Sequence, residues 1–386
     1  VRQTLKRAAS QDVTLIAHDS SVISFKSETG RDGLVGEAGL KQRFLAHCSL
    51  AIRADGSHRP EGVVALSYHR PVKTKNAALQ HRWSAHIEET HSLGMSPKAV
   101  VHLMDREADD YDVLQLLLRL GTRFVVRVQH NRRLAQGKLR DVLEQEASGQ
   151  ASRAVRLSRR GGKQGSKQRR IHPPRDERMA SLLVASSSVK ITKDPRRPSE
   201  GTLKLNVVRV WEPEPPEDEK GIEWPLYTSE PVDTPEQMFQ VVDWYRAHWC
   251  IEEYFKALKQ ACGMEKRQLG DLHALANALA LLAPIAWKIL WLKSEARARP
   301  DEPATKLLDK DELEVLVAAS GIPLARDCTT EKALLAIASL GGHLKHNGSP
   351  GWLVLHRGYR ELATLLMGWQ LRRSIETAQP AEEYDQ

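Results

Sequence analysis

The hydrophobic positions of this chain form short continuous runs in its first third and follow helical spacing further along. Six apolar runs predict strands, at residues 13–19, 22–25, 44–52, 62–68, 99–105 and 123–129. Helical spacing predicts helices at residues 76–92, 108–120, 244–259, 272–293, 309–321, 331–340 and 359–373. The order of these elements predicts an α/β fold with a mixed sheet, followed by a helical C-terminal region.

A block in the middle of the chain interrupts this order. Runs at 182–192 and 202–211 predict strands, and the proline-rich, acidic residues 212–220 predict a loop. Residues 153–178 contain ten Lys or Arg and two acids, which suits either a solvated loop or a loop that contacts DNA. We expect four regions: a first core part (1–135), a β-rich insertion with a basic loop (136–227), the completion of the core (228–300) and a helical region (301–386).

The composition narrows the class of protein only slightly. Of the 386 residues, 41% are hydrophobic and 27% charged, which is ordinary for a globular protein. The net charge of +8 weakly favours a polyanionic partner. The four cysteines lack zinc-site spacing and predict reduced thiols in the cytoplasm. The apolar segment 272–292 contains Asn277, Pro284 and Lys288, so we expect a buried helix and no membrane partner.

One predicted helix carries a stripe of polar residues spaced three, four, four and three apart. They are Tyr245, His248, Glu252, Lys256 and Lys259. At about 100° per residue these side chains share one narrow face. A carboxylate among cations on such a face suits a metal ligand beside a bound phosphate. A surface helix with a Glu–Lys pair explains the same spacing, and this segment alone does not decide between them.

Two aspartates, Asp19 and Asp105, each end an apolar run. Ligands in open α/β sheets gather at the carboxyl ends of strands. With Glu252, these residues would bring three carboxylates to one point, where their repulsion requires a cation. Such oxygen ligands suit Mg²⁺ or Mn²⁺. Two ions about 3.5–4 Å apart can activate an attacking oxygen and stabilise a leaving oxygen in phosphodiester chemistry.

Four motifs, taken in order, resemble those of bacterial DDE transposases, most closely the insertion-sequence-four group that includes the Tn-five transposase. The motifs are Asp-Arg-Glu-Ala-Asp at 105–109, Arg-Phe-Val-Val-Arg at 123–127, Leu-Tyr-Thr-Ser-Glu-Pro-Val at 226–232, and the segment 245–259. The group signature, Tyr-x2-Arg-x3-Glu-x6-Lys, falls on Tyr245, His248, Glu252 and Lys259. The resemblance covers residues 13–373.

The resemblance implies a ribonuclease H-like core, interrupted by the β-rich insertion before the glutamate helix. It implies that Asp19, Asp105 and Glu252 form a catalytic, metal-binding triad for Mg²⁺, with Mn²⁺ as a substitute. The implied reaction is cut-and-paste transposition. It consists of hydrolytic nicking at the ends of a mobile element, a hairpin intermediate, and attack of the freed 3′-hydroxyl on a new phosphodiester.

The resemblance also implies the partners of the protein. The DNA-binding residues would be Arg127, Tyr245, His248, Lys256 and Lys259 at phosphates and Trp224 stacked on a flipped base. The DNA would be double-stranded, at transposon ends and at the target site. Helices around 337–342 and 359–369 resemble a dimerisation region, which implies a homodimer. The protein would act in the bacterial cytoplasm, associated with the nucleoid.

Two departures from the group leave a second function open. His248 replaces the signature arginine and cannot make a bidentate phosphate contact. The chain begins at Val1 without a signal peptide, and we expect that the N-terminal domain that recognises element ends is missing. A chain of this kind could instead be a catalytically poor truncated transposase that dimerises with an intact partner and inhibits transposition.

Overall fold

The structure, a computed structural model, describes residues 1–26, 29–36, 41–70, 77–145, 148–157, 174–193, 201–217, 219, 221–344 and 348–378. The chain folds into two compact units. Unit 1 comprises Val1–Thr4, Ser20–Lys73 and Cys250–Gln386, and unit 2 comprises Leu5–Asp19 and Thr74–Trp249. Residues 158–173 of the predicted basic loop and residues 379–386 of the tail lie outside the described residues.

The strands of the described residues lie mainly in the first two thirds of the chain. They are β1 (Thr14–Lys26), β2 (Lys41–Arg53), β3 (Pro60–His69), β4 (Val100–Met104), β5 (Arg123–Arg127), β6 (Arg133–Leu134), β7 (Gly137–Lys138), β8 (Ser148–Leu157), β9 (Arg178–Thr192), β10 (Thr202–Trp211) and β11 (Glu223–Thr228).

The α-helices of the described residues dominate the last third of the chain. They are α1 (Arg2–Ala9), α2 (Ala77–Ser92), α3 (Tyr111–Arg119), α4 (Leu139–Gln145), α5 (Pro235–Ala247), α6 (Trp249–Lys256), α7 (Leu272–Ala298), α8 (Lys310–Ala319), α9 (Thr330–Leu340) and α10 (Trp352–Ala378). The mixed α/β class predicted from the hydrophobic pattern is confirmed.

Unit 2 is built on a mixed sheet in the order β1-β4-β5-β11-β10-β9-β8. The first three strands are parallel. Every residue of β4 is buried, as expected of a parallel strand covered on both faces. Helices α2 and α3 supply Trp83, Ile87, Leu114 and Leu117 to a core that includes Phe124 of β5. This core fixes the ends of β4 and β5, where the candidate site lies.

The strands of the predicted insertion extend the same sheet. β11 pairs antiparallel with β5, and β10, β9 and β8 follow in antiparallel order. The predicted strand at 202–211 is confirmed as β10, and the strand predicted at 182–192 begins earlier, at Arg178. The insertion also contains α4, which the hydrophobic pattern did not reveal.

Unit 1 combines the second part of β1 with β2, β3 and the C-terminal helices. β2 and β3 form an antiparallel pair whose turn contains Gly56 at a φ of 82°, which favours glycine. Helices α9 and α10 approach so closely that a Cβ at Gly358 would lie 1.7 Å from the Ile337 carbonyl oxygen. The segments predicted to dimerise therefore pack on each other within the chain, and the homodimer stays a prediction.

The apolar segment predicted as a buried helix is α7. It is long and apolar enough to cross a membrane by composition alone, and 39% of its most apolar 18-residue stretch is buried in the structure. The Trp287 indole nitrogen donates to the Pro60 carbonyl at 3.0 Å, which anchors α7 to β3. Core helices of soluble proteins pass the same composition test, so this helix is weak evidence for a membrane.

Two predicted elements differ from the structure. The runs at 13–19 and 22–25 form one strand, β1. The helix predicted at 244–259 is interrupted at His248, whose backbone N–H donates to the Tyr245 carbonyl at 3.1 Å, a tighter turn than an α-helix makes. It then passes into a π-helical turn at Ala257–Ala261. The polar stripe therefore does not follow a uniform 100° step.

Candidate functional site

Two aspartates stand side by side in unit 2. The pairing of β1 with β4 runs from Thr14 opposite Val100 to His18 opposite Met104. Asp19, within β1, and Asp105, the first residue after β4, therefore follow the last pair of this register. Adjacent strands of a sheet lie about 4.8 Å apart, so the two backbones are close at this point. The prediction that Asp19 ends its strand is wrong, because β1 continues to Lys26. What ends at His18 is the pairing with β4.

The backbone around Asp105 fixes its carboxylate at this edge. Asp105 is extended and caps a 3-10 turn at Arg106–Ala108, where its Oδ1 accepts a hydrogen bond from the Glu107 backbone N–H at 2.9 Å. The cap aligns the carboxylate with the start of the turn. Both aspartates are half-buried, so the pair can be reached by a ligand.

A buried arginine, Arg82 of α2, lies within electrostatic reach of both aspartates. Its Nη2 donates to Glu107 Oε2 at 2.7 Å, and the side chain is 5% exposed. Burial lowers the pKa of Arg82, and the negative charges of Glu107, Asp105 and Asp19 partly offset this shift. Arg82 was not among the residues predicted from the sequence. Its signal is the spacing of Arg82, His86 and Thr90, buried polar residues four apart on α2.

Arg127 and Arg140 lie within electrostatic reach of Arg106, the residue after Asp105, and we call these three arginines the arginine cluster. Burial and the positive charges of Arg127 and Arg140 lower the pKa of Arg106, while Asp105 and Tyr245 oppose the change. Arg106 and Arg140 are exposed. Guanidinium groups make charge-assisted, often bidentate hydrogen bonds to phosphate, so the cluster suits a phosphate. Of the three, only Arg127 was predicted; Arg106 follows Asp105 directly in the Asp-Arg-Glu motif.

An aromatic group borders the arginines. The ring of Tyr245 stacks on His248 with centroids 6.0 Å apart and meets Trp224 edge-on at 5.8 Å. Burial raises the pKa of Tyr245, and the neighbouring Arg127 opposes this shift. Tyr245 is therefore a neutral hydroxyl near pH 7, able to donate a hydrogen bond. The structure brings Trp224, Tyr245 and His248 together with Arg127 and the two aspartates in unit 2.

His248 is buried and holds the strand that carries Asp19. Its Nε2 lies 2.9 Å from the His18 carbonyl oxygen. Because a carbonyl only accepts, Nε2 carries the proton of this bond. The prediction that His248 binds DNA stays a prediction. In the structure, the His248 side chain fixes the backbone of His18, one residue before Asp19.

A chain of three histidines lies on the opposite face of β1 and β4. His18 Nε2 is 2.8 Å from His102 Nδ1, and His102 Nε2 is 3.2 Å from His91 Nε2. Burial and the charge of His91 lower the pKa of His102 to about 3. His102 is therefore neutral near pH 7. His18 and His102 are both buried and hydrogen-bonded to each other.

The acids that follow Asp105 have structural partners. Asp110 caps α3 through the backbone N–H groups of Asp112 and Val113, as expected for an acid at a helix start. Asp109 lies just before the Asp110 cap. It is buried, and its carboxylate accepts from the backbone of Gln129 and His130 and pairs with Arg132. That network orders the loop after β5.

The remaining predicted site residues belong to unit 1. Glu252 lies exposed on α6. Lys256 pairs with the partly exposed Glu253 at 2.5 Å. Lys259 lies on the π-helical turn. The roles predicted for Glu252, Lys256 and Lys259 stay predictions.

Comparison with known proteins gives a family match. Residues 12–287 match the family described as the transposase DDE domain. Among solved structures, the chain is similar to a cryo-EM structure of the piggyBac transposase synaptic complex with hairpin DNA. The TM-score is 0.36 and the identity 12%, over 97% of this chain and 59% of that one. At these values the similarity does not establish a common fold. This chain spans 59% of the length of that transposase chain, which is less than two thirds.

Proposed function

The chain belongs to the transposase DDE-domain family, and from this premise we propose that it is a DNA transposase that hydrolyses and transfers phosphodiester bonds. The observation that carries the proposal is the parallel register of β1 and β4, because Asp19 and Asp105 directly follow its last pair, His18 and Met104. Next to them stands the cluster of Arg106, Arg127 and Arg140. Paired acids for a cation beside arginines for an anion are the charge pattern that metal-assisted phosphodiester chemistry requires.

We propose Glu252 as the third carboxylate. It follows His248 by four residues, and the His248 imidazole holds the carbonyl of His18, the residue before Asp19. The three acids offer oxygen donors only, which suits Mg²⁺ and also Mn²⁺ as its substitute. When bound, two such ions would activate the attacking oxygen and neutralise charge on the leaving oxygen.

The other residues of the site hold and orient the DNA. The arginine cluster binds the reacting phosphate through charge-assisted hydrogen bonds. The neutral Tyr245 hydroxyl donates to a neighbouring phosphate, and Lys256 and Lys259 hold phosphates further along the strand. Trp224 stacks on a base turned out of the duplex, as hairpin formation requires. His248 keeps the end of the β1–β4 pairing in place.

The finer assignment is to the insertion-sequence-four group, on the spacing of Tyr245, Glu252 and Lys259. It implies cut-and-paste transposition, a ribonuclease H-like core around β1, β4 and β5, and a homodimer on double-stranded DNA at the element ends and target. The truncated-inhibitor alternative makes a different prediction, because such a chain lowers the activity of an intact transposase without cleaving DNA itself.

A pair of adjacent variants tests the proposal. Glu252→Gln removes the proposed third carboxylate, and Glu253→Gln changes a neighbour whose partner is Lys256. We expect Glu252→Gln to lower Mg²⁺-dependent strand cleavage about a thousandfold and Glu253→Gln to leave it within a fewfold. The substrate is a duplex from the genomic sequence flanking the coding region. Full cleavage by Glu252→Gln contradicts the assignment; absence of cleavage by the unaltered chain supports the inhibitor.

A further inference from the structure

A basic groove in unit 1 is separate from the residues proposed above, except for Lys259. It is a cavity of about 640 Å³ between the end of β1, the start of β2 and the segment after the π-helical turn. We call this cavity the basic groove. Its cationic lining residues are Lys26, Arg31, Lys41, Lys259, Lys266 and Arg267.

The negative charge in this groove has its own partner. Among the described lining residues the carboxylate is Glu265, and its Oε1 accepts a hydrogen bond from the Ser24 backbone N–H at 2.9 Å. Within the described part of the chain, no ion pair joins a carboxylate to Lys26, Arg31, Lys41, Lys266 or Arg267. Six cationic side chains and one carboxylate leave an excess of positive charge among the described lining residues, which favours a bound polyanion.

The two arginines are held in place before any ligand binds. The backbone N–H of Arg31 donates to the buried Gln42 Oε1 at 2.8 Å, and its guanidinium carbon lies 4.7 Å above the Phe25 ring. Arg31 Nη1 is buried and has no hydrogen-bond partner among the described residues. Arg267 Nη2 donates to the Cys262 carbonyl at 2.6 Å. Fixed guanidinium groups lose little entropy when they bind a phosphate.

The lysines around them differ in character. Lys26, Lys41 and Lys266 are exposed and act as point charges on flexible stems. Fixed arginines surrounded by mobile lysines suit a repeating anion whose exact spacing varies. The phosphate backbone of nucleic acid is such a ligand, and it is bound mainly through sequence-independent charge.

We propose that the basic groove binds the phosphate backbone of DNA and supplies affinity, while the acid pair and arginine cluster of unit 2 supply chemistry. The inference rests on the proposed function for the identity of the polyanion. The DNA has two possible sources, the element end and the target, which present the same backbone.

The test compares two triple variants of the full chain. Lys26→Ala, Lys41→Ala and Lys266→Ala are combined in one, and Lys306→Ala, Lys310→Ala and Lys332→Ala in a control that removes equal charge from exposed lysines elsewhere in unit 1. Fluorescence anisotropy in EDTA measures binding to a random-sequence duplex and to a duplex from the genomic flank, between about 50 and 200 mM KCl. EDTA prevents cleavage, so failure of the catalytic proposal does not affect this readout.

We expect the groove variant to lose affinity about tenfold and to reduce the slope of log affinity against log salt by about 2 to 3, since each phosphate contact contributes about 0.9. The control should change both quantities much less, and a Lys→Arg version of the groove triple should keep the slope. Equal losses of affinity on both duplexes mean that the groove binds a backbone that both DNA sources present. A loss confined to one duplex assigns the groove to the source that this duplex represents. A groove variant that matches the control on both duplexes overturns the proposal.

Discussion

The arginine cluster of unit 2 and the basic groove of unit 1 are both positive, but they differ in what stands beside the cations. Arg106 lies within electrostatic reach of Asp105, next to Asp19. The basic groove has one lining carboxylate among the described residues, Glu265, beside six cations. Two neighbouring carboxylates beside arginines suit a metal and a reacting phosphate, whereas a large excess of positive charge suits affinity. The comparison therefore predicts that cleavage and binding can be separated by mutation.

The largest expected effect comes from the acid pair. Asp105→Asn should lower strand cleavage about a thousandfold, because an amide cannot supply the charge that a divalent cation needs, a loss of roughly 4 kcal/mol. Binding to duplex DNA in EDTA should be unchanged or slightly tighter, since a negative charge is removed. Gel assays of cleavage and anisotropy of binding measure the two effects on one protein.

Asp112→Asn is the matched control for that variant. Asp112 is exposed and pairs with Lys193 at 2.7 Å, so its substitution should leave cleavage within a fewfold. An Asp105→Asn protein that cleaves as well as this control would remove the distinction between the two positive regions.

A smaller effect is expected from the arginine cluster. Arg106→Gln removes a charge-assisted contact to the reacting phosphate and should lower kcat about a hundredfold, or roughly 3 kcal/mol. Its effect on binding in EDTA should be only a fewfold. Arg133→Gln, an exposed arginine on β6, is the control. If Arg106→Gln weakens binding as much as it slows cleavage, the cluster acts as a second affinity site.

The smallest expected effect concerns the pH dependence of the free energy of unfolding, which has to be distinguished from any pH dependence of cleavage. The pKa of His102 is about 3 in the folded chain and about 6.5 when unfolded. Between these values the unfolded state binds more protons, so the free energy of unfolding falls as pH is lowered. From pH 7.5 to 5.5 the loss attributable to His102 is about 1.4 kcal/mol. Urea unfolding at both pH values measures it.

The variant His102→Gln should lose that part of the pH dependence, whereas His273→Gln, an exposed histidine of α7, should keep it. An unaltered pH dependence in His102→Gln would mean that this histidine is not buried and neutral. If the cleavage activity of His102→Gln still depends on pH, that dependence arises from groups in the site and not from unfolding.

The sequence predicted the elements that depend on local pattern. The continuous apolar run before Asp105 predicted β4, because a parallel strand buried on both faces has no polar alternation. The sequence pattern placed the end of β1 too early, at Asp19. The polar residues after Asp19 do not stop the strand, which continues into unit 1. The His248 side chain, at the interruption of the predicted helix, bonds to the distant His18 carbonyl, a contact that local spacing cannot reveal.

The site residues divide in the same way, into those with a local sequence signal and those brought together only by the fold. Asp19 and Asp105 carry a local signal, an acid after an apolar run, so they could be selected from the sequence. Arg82 could not be connected to them, since its role depends on how α2 packs on β4. The basic groove joins residues near 26 and 41 with residues near 266, and only the fold of unit 1 brings these cations to one cavity.

The central claim is that Asp19 and Asp105 together hold a divalent cation. The most direct measurement is an anomalous difference map from crystals of the protein soaked in Mn²⁺. We expect a peak within about 2.0–2.6 Å of a carboxylate oxygen of each aspartate. Peaks confined to other carboxylates, with the Asp19–Asp105 pair lacking one at saturating Mn²⁺, would contradict it.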